Sequence, residues 1–339
     1  MKSLEPQWDF TSDALGLISI EFLVNNITRR QMELMSAPGS RRDVDSQERV
    51  YRDRILGNLR NLLDLYRRGY VYSELIEAFW VACRHVGLLN DHGMTWMATS
   101  SPHAAVDELI RMLPGIVMSD ECQRRAADRR YEAHVKRQGI ERYTQAVLDV
   151  YSRPLVVRVD VGFRKDVQPY VTIDALYEAV DRFNAMRKQG HPLFDHLTGH
   201  LLNLEQGVDR GFHAHLGLIY NGSEILSDRY RGEMVGEAWA TCTGGMGTVF
   251  NCNANKAEYE RRNCCGLGVV DRNDAVKRAH VVTAMQYLSE PDKDDQYLRM
   301  KPEGRRTFWR GQLPKIEEHR RGRPPMSHGV MPGEDEQEF

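Results

Sequence analysis

Two histidines separated by one residue, His213 and His215, are the side chains of this sequence best suited to chemistry. They lie in the apolar run Gly211-Phe212-His213-Ala214-His215-Leu216, which predicts a β-strand, and successive side chains of a strand point to opposite faces. Both imidazoles would therefore leave the same face and could chelate one ion. The alternative is a pair of polar residues on the open face of a half-buried strand.

Glu205 offers a third ligand for such an ion. It ends the preceding strand-like run at Asn203-Leu204-Glu205, and a short connection leads from there to the histidines. Two imidazoles and one carboxylate leave positions open for a phosphate oxygen and water, and they suit Mn²⁺ or Mg²⁺. The alternative for Glu205 is a hairpin residue on the surface.

Three further patterns bear on the chemistry. Asp160, on another predicted strand, could orient one histidine, as metal-bound imidazoles usually require, or it could be a solvated strand residue. The run from Gly244 to Gly247 lacks the Lys-Ser/Thr that completes a phosphate-binding loop, so we expect no ATPase activity. The cysteines of the second half lack the Cys-x₂-Cys spacing of a zinc site.

The elements that would position these groups lie in the second half of the chain. Strand-like runs cover residues 155–161, 197–204 and 212–220, with shorter ones at 247–250 and 267–270. Helical periodicity covers residues 172–188 and 274–289, and the segment 221–247 is polar and rich in glycine. These patterns predict an α+β fold in which the runs 197–204 and 212–220 form a hairpin.

The first 150 residues have the periodicity of helices. The candidate helices cover residues 13–35, 46–68, 73–86, 102–113 and 119–150, and Ser119 or Asp120 would cap the last one. We therefore predict an α-helical region over residues 1–150, a catalytic domain over residues 151–315 and a flexible tail, first basic and then acidic, over residues 316–339.

Composition limits the class of protein. With 41% hydrophobic and 28% charged residues in 339, the chain is typical of soluble globular proteins. It lacks an apolar run of about 18 residues and a secretory leader, so we expect a cytoplasmic protein without a membrane partner.

The net charge of −2 conceals a basic segment. Residues 299–323 contain nine Lys or Arg against three Glu. Part of this segment interleaves cations with aromatic rings, which suits contacts to the backbone and bases of single-stranded DNA; its residues are Arg305, Arg306, Phe308, Trp309 and Arg310. A solvated positive tail is the alternative.

The motifs of the second half resemble those of a known family, the rolling-circle replication initiators of the HUH endonuclease superfamily, in particular the inovirus-type replication proteins of bacterial prophages. The resemblance covers about residues 155–314. It depends on the strand 155–161, the segment from Leu204 to His215, the run Gly247-Thr248-Val249-Phe250-Asn251 and the two segments Tyr287-Leu288-Ser289 and Asp295-Gln296-Tyr297-Leu298-Arg299.

This resemblance implies a fold, a metal site and a nucleophile. The HUH fold is an antiparallel sheet with helices on one face and the metal site on the other. His213, His215 and Glu205 would bind Mn²⁺ or Mg²⁺, and Tyr287 would attack a DNA phosphodiester. The product would be a 5′-phosphotyrosyl enzyme and a free 3′-hydroxyl that can prime synthesis.

The chain departs from the family just after Tyr287. A lysine three residues later is usual, and this chain has Glu290 there. Lys293 is the candidate to substitute for that lysine if the chain turns back at Pro291. Tyr297 is a candidate nucleophile, either in place of Tyr287 or as a second one.

We therefore expect site-specific nicking and joining of single-stranded origin DNA, which would initiate rolling-circle replication of a phage or prophage. Any unwinding would need a host helicase as a partner. A rival hypothesis, motivated by Glu290, is a non-catalytic DNA-binding prophage protein that retains the fold. A third is a metal-dependent hydrolase of small substrates.

Overall fold

The computed structural model describes residues 12–36, 41–90, 93–94, 101–289 and 297–314, which form an α+β fold. Lys293, Glu290, Pro291 and the predicted tail 316–339 lie outside these described residues. The predicted boundary at residue 150 coincides with the end of a long helix and precedes the first long strand.

Among the described residues before that boundary, five helices occur, as the periodicity predicts. They are α1 (Asp13–Ser36), α2 (Arg41–Asp64), α3 (Glu74–His85), α4 (Pro102–Val117) and α5 (Asp120–Val150). The Ser101 hydroxyl accepts from the Ala104 amide at the start of α4, and the Ser119 hydroxyl accepts from the Cys122 amide at the start of α5. Such caps satisfy amides that have no partner within the helix, and the predicted cap at Ser119 is confirmed.

The main sheet is antiparallel throughout. Its strands are β4 (Pro154–Phe163), β5 (Leu197–Gly207), β6 (Gly211–Asn221), β7 (Gly247–Asn251), β8 (Gly268–Val269) and β10 (Phe308–Arg310). Their order is β10-β5-β6-β4-β7, and β8 also pairs with β4. The two longest neighbours, β5 and β6, form the predicted hairpin, with β4 on the other side of β6.

Short strands that the sequence analysis did not predict connect the two regions. β1 (Tyr70–Tyr72) pairs with β9 (Met300–Pro302), so the helical region contributes a strand to the C-terminal part of the chain. The two-residue strands β2 (Leu89–Asn90) and β3 (Gly93–Met94) pair with each other. Segments this short bury few residues and leave little period-two pattern to detect.

The remaining helices are α6 (Ile173–Lys188), α7 (Asp228–Cys242), α8 (Lys256–Arg261) and α9 (Ala275–Gln286), and α9 leads into a 3₁₀ turn, Tyr287–Ser289. The sequence analysis assigned no element to the polar, glycine-rich segment 221–247, and α7 occupies most of it. A Cβ on Gly232 would lie 2.4 Å from the Asn251 side chain, and one on Gly236 would lie 2.8 Å from Val249. These glycines let β7 approach the helix.

Helices cover both faces of the sheet. One face carries Val157, Val159, Leu204, Ala214 and Leu216, and it belongs to a buried apolar cluster that continues into α1, α3, α4, α6 and α7. The opposite face carries the histidines, and at one end of it Val156, Leu201 and Ile219 pack with α5 and α9. The expectation of helices on one face only is therefore wrong, because α5 and α9 partly cover the face of the histidines.

Candidate metal centre and tyrosine

Strand register brings the three predicted ligands together. Glu205 on β5 is the Cα partner of His213 on β6, and His215 is paired with Asn203 on one side and Asp160 on the other. The sequence analysis placed Glu205 where the strand ends, but β5 continues to Gly207. Gly207 pairs with Gly211, whose φ of +57° suits the tight hairpin, so the carboxylate is presented by a strand.

The ligand atoms face one another in a buried setting. The Glu205 Oε2 lies 2.9 Å from the His215 Nε2 and 3.7 Å from the His213 Nε2. One donor atom from each of the three residues lies within 4.8 Å of the others, and the residues are only 5%, 2% and 2% exposed. The alternatives of a surface hairpin residue and an open polar face are therefore wrong.

Hydrogen bonds to the second ring nitrogens orient both imidazoles. The His213 Nδ1 lies 3.0 Å from the carbonyl oxygen of Gly211, and the His215 Nδ1 lies 2.6 Å from an Asp160 carboxylate oxygen. A carbonyl and a carboxylate only accept, so each Nδ1 carries a hydrogen and each Nε2 is directed at Glu205. This arrangement is typical of histidine ligands, whose Nδ1 is commonly held by an acceptor.

The two histidines have opposite pKa shifts. Burial, together with the nearby His215, lowers the pKa of His213 to about 4. Burial also acts to lower the pKa of His215, but hydrogen bonds to Asp160 and Glu205 outweigh it and raise that pKa. In the absence of metal near neutral pH, His213 is therefore neutral, while His215 is the imidazole that retains a second proton more readily.

Asp160 is the orienting partner that the sequence suggested, since it is buried and bonded to His215. Its second oxygen accepts from the Arg210 guanidinium at 2.8 Å, and Arg158 Nη2 lies 3.8 Å from the first. Burial acts to raise the pKa of Asp160, but the bond to His215 and the two guanidinium groups hold it well below its usual value. The alternative of a solvated strand residue is wrong.

Tyr287 lies on the same face as the histidines, in the 3₁₀ turn after α9. The Arg158 guanidinium carbon lies 4.6 Å from the centre of its ring, and the residue is 42% exposed. The structure thus places Tyr287 beside Arg158, which also approaches Asp160.

Packing and one buried amide fix this turn to the sheet. A Cβ on Gly217 of β6 would lie 2.4 Å from the Met285 sulfur, so this glycine lets α9 approach the sheet closely. The Asn203 amide nitrogen donates to the Leu288 carbonyl at 2.7 Å and to the Glu205 Oε1 at 3.0 Å. One side chain therefore connects a metal ligand to the turn that carries Tyr287.

Tyr297 has different surroundings. Its hydroxyl donates to the Glu21 carboxylate of α1, and the guanidinium carbons of Arg129 and Arg299 lie 4.1 and 4.8 Å from the centre of its ring. Tyr297 lines the same cleft as Glu205, which has a volume of about 430 Å³. A nucleophilic role for Tyr297 stays a prediction, as does the substitution of Lys293, which lies outside the described residues, for the lysine usual in the family.

The basic and aromatic residues near the C-terminus form an edge strand. Phe308 and Trp309 lie on β10, beside β5, and each packs against a different apolar cluster, on opposite faces of the sheet. The two rings therefore do not form one stacking platform. Arg305 is paired with Asp181 at 2.8 Å, whereas Arg306 and Arg310 are exposed. Contact of these residues with DNA stays a prediction.

Sequence reasoning missed Arg158, Arg210 and Asn203. The run Val157-Arg158-Val159-Asp160-Val161 does contain a signal, because two charges alternate with β-branched residues and so share one face.

Across the part of the chain that the structure describes, no helix has the length and apolarity needed to cross a bilayer. No protein family, curated protein or solved structure matches this chain.

Proposed function

We propose that this chain is a metal-dependent DNA-nicking and DNA-joining enzyme of the HUH class, with Tyr287 as its nucleophile, and that it initiates rolling-circle replication of a phage or prophage. The observation that carries the proposal is the placement of Tyr287 on the same sheet face as Glu205, His213 and His215. An antiparallel sheet with its two histidines on a central strand is compatible with the HUH fold.

The donor set fits a divalent cation such as Mn²⁺ or Mg²⁺. Two imidazole nitrogens and one carboxylate oxygen converge, and the opposite ring nitrogen of each histidine is already bonded to an acceptor. Glu205, His213 and His215 would hold the ion. A cation bound there would polarise a phosphate oxygen and stabilise the charge that develops during displacement at phosphorus.

The bond-forming and bond-breaking steps of the proposed reaction involve Tyr287 and the DNA. The Tyr287 oxygen forms a bond to the phosphorus while the bond from phosphorus to the 3′-oxygen breaks, and the phenolic proton ends on the leaving 3′-hydroxyl. The protein is left with a 5′-phosphotyrosyl bond, and the reverse reaction with a 3′-hydroxyl rejoins the strand. Asn203 and the packing of α9 hold the turn of Tyr287 relative to Glu205, which supports in-line attack.

The test is covalent capture of single-stranded DNA. Wild type, Tyr287→Phe and Tyr297→Phe are incubated with Mn²⁺ and with each strand of the region that flanks the coding sequence. DNA labelled at its 3′ end should give a labelled protein band, whereas DNA labelled at its 5′ end should give only a shorter free fragment. Tyr170→Phe, at a site that is 84% exposed, is the control tyrosine.

The outcomes separate the candidate functions. Loss of the adduct in Tyr287→Phe alone supports the proposal, and loss in Tyr297→Phe alone assigns the nucleophile to Tyr297. Retarded DNA without an adduct from any strand indicates the binding-only protein. A protein that neither binds nor cuts DNA, but hydrolyses a small phosphate ester with Mn²⁺, indicates the small-substrate hydrolase.

A further inference from the structure

Arg158 is a buried cation with incomplete pairing. It lies on β4, is 8% exposed, and its Nε has no hydrogen-bond partner in the described structure. The carboxylate oxygen nearest to it, on Asp160, is 3.8 Å from Nη2 and already accepts from His215 at 2.6 Å. A buried charge or donor without a full set of partners is costly, so its retention calls for another ligand.

Two guanidinium groups approach one carboxylate, that of Asp160. Arg158 and Arg210 share this single carboxylate, which also accepts from His215. Glu205, the other acid of the cluster, is directed at the two histidines. An anion beside the two guanidinium groups would give them a second negative partner besides Asp160 and an acceptor for the unused donor.

The same place is reachable from solvent. The Arg210 side chain is 50% exposed, and Tyr287, whose ring lies over Arg158, is 42% exposed. Arg210 lies on the connection between β5 and β6, and its guanidinium donates to the Asp160 carboxylate that Arg158 also approaches. Two side chains that solvent reaches, Arg210 and Tyr287, therefore lie next to the Arg158–Asp160 pair.

We propose that Arg158 and Arg210 form an anion site beside Tyr287 that binds the phosphate group of a phosphodiester. Planar guanidinium forks donate paired hydrogen bonds that match the oxygens of a phosphate, which is the geometry in which arginine surpasses lysine. The identification of the anion as a diester rests on the proposed function. The site would hold the scissile phosphate, or the one next to it, against the attacking tyrosine.

The test measures phosphate binding without catalysis. The full-length protein is titrated in EDTA with thymidylyl-(3′→5′)-thymidine, inorganic phosphate and acetate, and binding is followed by calorimetry and ³¹P NMR. Arg158→Lys keeps the charge but loses the fork, and Arg210→Gln changes a half-exposed residue that should not affect folding. Arg231→Lys is the matched control, because Arg231 is also 8% exposed and lies over a tyrosine ring, that of Tyr220 at 5.2 Å.

We expect both site variants to bind the diester and phosphate about tenfold or more weakly, the effect of losing a charge-assisted hydrogen bond. The control should bind as wild type does, and thermal unfolding checks that each variant is folded. Unchanged binding in folded Arg158→Lys and Arg210→Gln would overturn the proposal. So would a wild type that binds neither phosphate compound, or one that binds acetate equally well.

These outcomes are distinct from those that test the proposed function. If phosphate binding depends on the two arginines but the protein forms no DNA adduct, the anion site is supported and the nicking activity is refuted. If the protein forms the DNA adduct but its phosphate binding is the same in both arginine variants, the nicking activity is supported and the anion site is refuted.

Discussion

The side-chain amide of Asn203 donates to the backbone carbonyl of Leu288 at 2.7 Å, across the gap between β5 and the turn after α9. The same nitrogen donates to Glu205, and both Asn203 and Leu288 are buried. The position of Tyr287 relative to the candidate metal ligands therefore depends on a hydrogen bond between residues that are far apart in the sequence.

Replacing Asn203 by leucine should loosen this connection. The variant loses both donated hydrogen bonds while keeping a similar volume, and we expect metal affinity and the rate of adduct formation to fall about 10–100-fold, as for other groups that orient ligands. Adduct kinetics and Mn²⁺ titration check this. Asn221→Leu, at the half-buried end of β6, is the control, and equal rates in the two variants would show that the Asn203 amide does not position the turn.

The ligand set predicts which histidines matter for metal. His213→Ala and His215→Ala should each abolish measurable binding of Mn²⁺, because two ligands are too few for a stable site here. His200→Ala should bind Mn²⁺ as wild type does, since His200 lies on β5 but outside the cluster. Electron paramagnetic resonance of free Mn²⁺ measures this directly. Retained binding in either of the first two variants would contradict the assignment.

Metal affinity should rise with pH through the titration of His215. The pKa of His215 is raised above 6.5, so below that raised value the metal must displace its Nε2 proton, and affinity should change about tenfold per pH unit. His213, with a pKa of about 4, is already neutral there. Asp160→Asn removes the negative charge that supports the imidazolium, so the midpoint of the pH dependence of metal affinity should move to lower pH. Calorimetry in several buffers would count the released proton, and an affinity independent of pH would contradict this account.

Breaking the ion pair between Glu21 and Arg299 should destabilise the whole fold. Their side chains are 10% and 3% exposed, and burial raises the pKa of Glu21 despite the charge of Arg299. Glu21→Ala removes the carboxylate that pairs with this buried guanidinium, and removing one member of a buried ion pair typically costs about 3–5 kcal/mol. Urea denaturation measures the free energy of unfolding. The control is Glu33→Ala on the same helix, whose partner Arg29 is exposed, and whose loss should change stability by less than about 1 kcal/mol.

The sequence was informative where the pattern is local. The period of two in residues 211–216 was enough to place His213 and His215 on one face, and the helical periodicity of residues 119–150 matches α5. Helix α7 was not predicted, because its segment is polar and rich in glycine, and two of these glycines, Gly232 and Gly236, make room for β7.

The residues around the metal cluster could not be found in the same way. Arg158 and Arg210 meet at Asp160 only through the register of β4 with β6 and the shape of the hairpin. Asn203 contacts Leu288 across 85 residues of chain. No local pattern encodes such pairings, although the alternating charges of β4 mark a polar stripe that faces the histidines.

The most direct test of the central claim is to locate the DNA on the protein. The adduct formed with Mn²⁺ is digested with nuclease and trypsin, and mass spectrometry identifies the residue that retains a nucleotide. We predict a nucleotide phosphate on Tyr287, and none when the metal is chelated or when His215 is replaced by alanine. A nucleotide on another residue, or no modified peptide from any DNA strand that the protein binds, would contradict the account.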